Sequence, residues 1–94
     1  MSTKYHILVV DDDPMMRLLA AQALDASGFN VVEAVGGKDA LECVKQQIPD
    51  LILLDVTMPE IDGFFVCREL RKSETTKNIP VIMLTALEIG RAHV

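Results

Sequence analysis

Residues 6–14 read HILVVDDDP, and this stretch decides the fold. Five residues, mostly apolar and β-branched, run directly into three consecutive carboxylates, and a proline follows. A short apolar run of this kind is read as a strand buried on both faces. Asp13-Pro14 then supplies a capping acid and a proline preorganised for the first helical position. One strand therefore delivers Asp11, Asp12 and Asp13 to its carboxyl end, where a helix begins. Met16, Leu19, Ala20, Ala23 and Leu24 follow at helical spacing and predict one apolar face. Gly28 supplies the stop.

The same alternation repeats along the chain. Residues 31–35 (VVEAV) predict a second strand, and Glu33 within it predicts an edge position. After Gly36-Gly37 comes a helix with Ala40, Leu41, Val44 and Ile48 inward. Residues 51–54 (LILL) are the most apolar run and predict a central strand. A loop over residues 55–63 leads to a helix over residues 64–72. A polar loop over 73–78 and a fourth strand over 80–84 (PVIML) come next, followed by Thr85-Ala86. Strands alternating with helices predict an α/β doubly wound parallel sheet with helices on both faces. Ligands of such sheets bind beyond the carboxyl ends of the strands. Asp11, Asp12 and Asp13 lie at that rim after the first strand, Asp55 after the third and Thr85 after the fourth.

Composition narrows the function classes. The chain has 94 residues and a net charge of −5, nine Lys and Arg against fourteen Asp and Glu. This length holds one domain. The acidic balance argues against direct nucleic-acid binding. No apolar run approaches the roughly 20 residues of a membrane helix. An early acid cluster behind a short apolar stretch is not a signal peptide. Cys43 and Cys67 lack metal-ligand spacing and are expected to be reduced thiols in helices of a cytoplasmic protein. Without Asp11, Asp12, Asp13 and Asp55, ten acids face nine bases, so the charge excess is local.

Clustered carboxylates repel one another unless a cation sits between them. Hard oxygen donors with room for water suit Mg²⁺, and a phosphoryl oxygen is its natural further ligand. A carboxylate beside the metal can act as nucleophile toward phosphorus. Thr85, through its hydroxyl, and Ala86, through its backbone N–H, could donate to the phosphoryl oxygens. Taken singly, each residue has a plainer reading. Asp13 is read as the helix cap. Thr85 and Asp62-Gly63 alone would be turn residues. The methionines are read as packing and His6 as structural. The convergence of three strand ends is what favours a site.

ILVVDDDPMMR, LILLDVTMPEIDGF and PVIMLTA, in this order and spacing, resemble the receiver domain of two-component response regulators. The resemblance covers residues 4–88 and leaves residues 89–94 as a tail outside the family pattern. It implies a flavodoxin-like sheet in the order 2-1-3-4-5 and phosphoryl transfer from a sensor histidine kinase onto an aspartate, with Mg²⁺ required. Asp55 corresponds to the phosphoacceptor. Asp11, Asp12, Asp55 and the backbone carbonyl of Thr57 correspond to the metal ligands. Thr85 corresponds to the hydroxyl that contacts the phosphoryl group. Pro59 and Gly63 correspond to residues that shape the loop.

The family pattern stops after Leu87. The fifth strand with its Lys-Pro pair, the aromatic switch residue and the last helices do not follow, and no lysine occurs after Lys77. The expectation is an incomplete receiver whose fourth strand, residues 81–84, is an exposed edge that supports a homodimer or higher assembly. The parent protein would carry an output domain. An inert, self-associating fragment that binds metal without efficient phosphorylation is the alternative. A small aspartate-nucleophile phosphatase is a further one, favoured by the Asp-x-Asp spacing. Against it, Met15 stands where Thr or Val would follow, and the chain is short for that fold.

Overall fold

In the computed structural model, residues 4–55 and 63–84 are described. Seven elements alternate among the described residues: β1 (His6–Val10), α1 (Pro14–Ala26), β2 (Asn30–Ala34), α2 (Gly37–Gln46), β3 (Leu51–Asp55), α3 (Gly63–Arg71) and β4 (Val81–Leu84). The strands form one parallel sheet in the order β2-β1-β3-β4. This is the expected doubly wound α/β architecture over four strands and three helices. Among the described residues the second strand lies at an edge, as Glu33 predicted, and β1 and β3 are the inner pair. Each pairing is parallel, so every strand points its carboxyl end to the same rim.

Alternation along the strands divides the side chains between two faces. Leu8, Val10, Ala34, Ile52 and Leu54 share one face. They pack against Ala40 and Val44 of α2, Val66 and Leu70 of α3, and Ile79. This is the main core. Ile7 and Val9 face the other way and are equally buried. There α1 packs across β1 and β2.

Helix α1 begins as the sequence predicted. Asp13 caps it through its carboxylate, which accepts the Met15 amide at 3.0 Å, and Pro14 follows in the first turn. Gly28, at φ +96°, ends the turn in the left-handed region, where a Cβ would be strained. The buried face is rotated from the expected one. Arg17, Ala20, Ala21 and Leu24 turn toward the sheet, whereas Met16, Leu19 and Ala23 are exposed. Burial follows the partner surface: β1 and β2 meet the side of α1 that carries Arg17, whose guanidinium bonds Glu33 and the Asp11 carbonyl.

Three further expectations are corrected. Strand β2 starts and ends one residue earlier, at Asn30 and Ala34. Ile48 is exposed, because α2 ends at Gln46, before the predicted helical face reaches it. Met15 and Met16 are exposed rather than packed. Cys43 and Cys67 are free, half-buried thiols on α2 and α3, as expected. His6 is structural, at the amino end of β1. Its amide donates to Asp50 Oδ2 at 2.8 Å and its ring meets the Gln47 side-chain amide.

Candidate functional site

The topology brings the acids together. Strands β1 and β3 are hydrogen-bonded neighbours, with Val10 opposite Leu54. The next residue along each strand, Asp11 and Asp55, therefore reaches the same rim. Asp12 follows on the turn into α1. One carboxylate oxygen from each of Asp11, Asp12 and Asp55 falls within 4.8 Å of the others. Asp11 and Asp55 are half-buried and Asp12 is exposed. Asp13, the third acid of the run, instead turns into the helix and caps it.

Asp11 is held at several atoms. Its N–H donates to the Ala34 carbonyl at 3.1 Å, extending the β1–β2 ladder past the last strand residue. Its Oδ1 accepts the Asp13 N–H at 2.9 Å. Its carbonyl accepts a hydrogen bond from Arg17 Nη1 at 2.8 Å.

Burial, above all, pushes the Asp11 carboxyl above its ordinary value of 3.8. The Asp13 amide opposes the rise. The charge of Asp55, a side-chain hydrogen bond with it, and the charge of Asp12 add to the rise. The cluster thus carries negative charge that its own side chains do not neutralise. An all-oxygen carboxylate set of this kind fits a hard divalent cation with waters completing its shell. It does not resemble a soft thiolate or imidazole site.

The raised Asp11 carboxyl has a stability consequence. The folded state holds the proton more tightly than the unfolded state, so this group's contribution favours folding below about 3.8. That contribution is lost as pH rises through the elevated folded value. Asp11→Asn is therefore expected to melt higher than the unaltered chain at neutral pH in chelator. The difference should vanish at acid pH. Thermal melts across pH check this, and a lower melting point for the variant at neutral pH would contradict it.

Of the residues singled out from the sequence, Asp11, Asp12 and Asp55 converge as expected. Gly63 opens α3. Thr57, Pro59, Asp62, Thr85 and Ala86 lie outside the described residues. Arg17 was not singled out. An arginine four residues into a helix gives no periodic signal, and only its contacts reveal its place.

Comparison with known proteins gives a consistent picture. A family model described as response regulator receiver domain matches residues 7–91. The chain is 47% identical over 81 residues to the DNA-binding dual master transcriptional regulator RpaA of Synechocystis, covering 86% of this chain and 34% of that protein. It is 49% identical over 83 residues to the response regulator PleD of Caulobacter vibrioides, covering 87% and 18% respectively. The chain thus spans about a third or less of these relatives' length. Among solved structures, the N-terminal domain of a response regulator receiver protein from Methanoculleus marisnigri superposes with a TM-score of 0.81 at 33% identity. That match covers 97% of this chain and 78% of the other. The chemotaxis response regulator CheY4 of Vibrio cholerae superposes with a TM-score of 0.82 at 31% identity, covering 86% and 68%.

Proposed function

The chain belongs to the response regulator receiver domain family, and on that premise we propose that it is the phosphoacceptor switch of a two-component system. In this reading the chain works in the cytoplasm, a sensor histidine kinase supplies the phosphoryl group, and an output domain of the parent protein reads the result. The observation that carries it is the convergence of Asp11, Asp12 and Asp55 within 4.8 Å at the carboxyl rim.

Asp55 is the nucleophile. One of its carboxylate oxygens forms the bond to phosphorus while the P–N bond of the phosphohistidine breaks and the imidazole leaves. Mg²⁺, when bound, offsets charge on the phosphoryl oxygens and between the carboxylates. Asp11 and Asp12 would hold it with Asp55 and, by the resemblance, the Thr57 carbonyl. The Thr85 hydroxyl and the Ala86 N–H are assigned on the same basis to the transferred group. The domain is not assigned turnover of an external substrate. Its chemistry is limited to its own phosphorylation and slow loss of the phosphoryl group.

Intact-mass measurement after incubation with a small phosphodonor tests this. A single phosphoryl adduct is expected with Mg²⁺ and none with chelator. No adduct in Mg²⁺ would reject the reading and leave a metal-binding, unphosphorylated chain.

A second reading concerns assembly, and the exposure of β4 favours it. Val81 and Met83 are half-buried on the side of the main core. Ile82 and Leu84 are 47% and 41% exposed on the opposite side, and β4 is an edge among the described residues. The strand carries no charge, and an apolar edge without charges is prone to pair with another copy. We infer self-association through residues 81–84 and their flanking surface. Light scattering at micromolar concentration should show a dimer or larger species, and Ile82→Lys should shift it to monomer. A stable monomer of the unaltered chain excludes it.

A further inference from the structure

Arg17 sits on the inner side of α1, and its side chain is only 17% exposed. Its guanidinium has two partners on different elements. Nε donates to Glu33 Oε1 at 3.1 Å on the edge strand β2, and Nη1 donates to the Asp11 carbonyl at 2.8 Å. The planar fork of an arginine can serve two acceptors in fixed directions, which a lysine ammonium does less well.

These contacts complete a frame around one residue. The Asp11 N–H is tied to Ala34, the neighbour of Glu33 on β2. The Asp11 carbonyl is tied through Arg17 to Glu33 itself. Its side chain is tied to the Asp13 amide. An acid packed against like charges would relax away from them if its backbone were free. The frame opposes that relaxation. Glu33 matters because it neutralises the guanidinium and aims it.

We propose that Arg17, oriented by Glu33, is a positioning residue that holds Asp11 in the geometry the cation needs. The inference rests on reading the acidic cluster as a cation site. Arg17 touches neither the cation nor the phosphoryl group. It acts through the Asp11 backbone, as partners behind metal ligands commonly do.

The proposal predicts an effect opposite in sign to simple electrostatics. Deleting a positive charge near a cation site should tighten cation binding. Deleting a positioning residue should weaken it. Titration of the full chain with Mg²⁺ by calorimetry, on proteins shown to be folded by circular dichroism, separates the two. Arg17→Ala is expected to weaken Mg²⁺ binding by roughly 10–100-fold. Arg17→Lys, which keeps the charge, should fall between Arg17→Ala and the unaltered chain. Glu33→Gln keeps an acceptor oxygen and should change affinity least. In chelator, amide exchange at Asp11 and Asp13 should quicken in Arg17→Ala. Unchanged or tighter Mg²⁺ binding in folded Arg17→Ala, whatever its melting temperature, overturns the proposal. So does Arg17→Lys matching the unaltered chain. Should Arg17→Ala not fold, the Arg17→Lys comparison decides. Failure of the unaltered chain to bind Mg²⁺ overturns the cation-site reading and this inference together, which distinguishes that outcome from a failure of Arg17 alone.

Discussion

Asp55→Asn is expected to abolish phosphoryl incorporation, reducing the Mg²⁺-dependent adduct to background in intact-mass spectra. The amide keeps the size and shape of the carboxylate but is not a nucleophile toward phosphorus. The substitution also removes one of the three carboxylates gathered at the rim. The fold should survive, since Asp55 is the last residue of β3 and lies outside the buried cluster. A folded Asp55→Asn variant that still takes up one phosphoryl group would assign the acceptor to another residue. Loss of the adduct together with a retained parallel-sheet spectrum would tie the chemistry to this position.

The second large effect is on stability. Leu54 immediately precedes the proposed acceptor, has no solvent exposure and packs in the main core. Leu54→Ala removes that packing and leaves a cavity at the centre of the sheet. The expected loss is about 2–5 kcal/mol, against a total of about 5–15 kcal/mol for an ordinary domain. Urea unfolding followed by circular dichroism should show a large drop in midpoint. Leu19→Ala is the matched control. The same deletion on the exposed side of α1 should change stability by less than about 0.5 kcal/mol. Similar losses for the two would mean that α1 buries the face predicted from periodicity rather than the one seen here.

That contrast shows where sequence reasoning succeeded. The order of elements, the parallel sheet and the central position of LILL were legible because apolar runs of strand length alternate with capped helices. The Asp13 cap and the Gly28 stop were legible because each depends on local chemistry. The gathering of Asp11, Asp12 and Asp55 was legible once two adjacent parallel strands were seen to end in acids.

The face of α1 was legible only in part. Of the predicted stripe, Ala20 and Leu24 turn inward as expected, whereas Met16, Leu19 and Ala23 are exposed, because a stripe is buried only where a partner surface exists. Across β1 and β2, the described partner surface is met by Arg17, Ala20, Ala21 and Leu24. Ile48 failed for a related reason. Its spacing continues a helix that ends two residues earlier.

The sequence by itself determined the architecture and the chemistry of the rim, because both follow from short-range patterns: strand-length apolar runs, capping residues, and acids placed directly after strands. Only the tertiary structure decided how the rim is held. Arg17, Glu33 and Asp11 are separated along the chain and meet because β2 lies beside β1 with α1 across both. A contact of this kind depends on the packing of three elements, and no periodicity in any one of them encodes it.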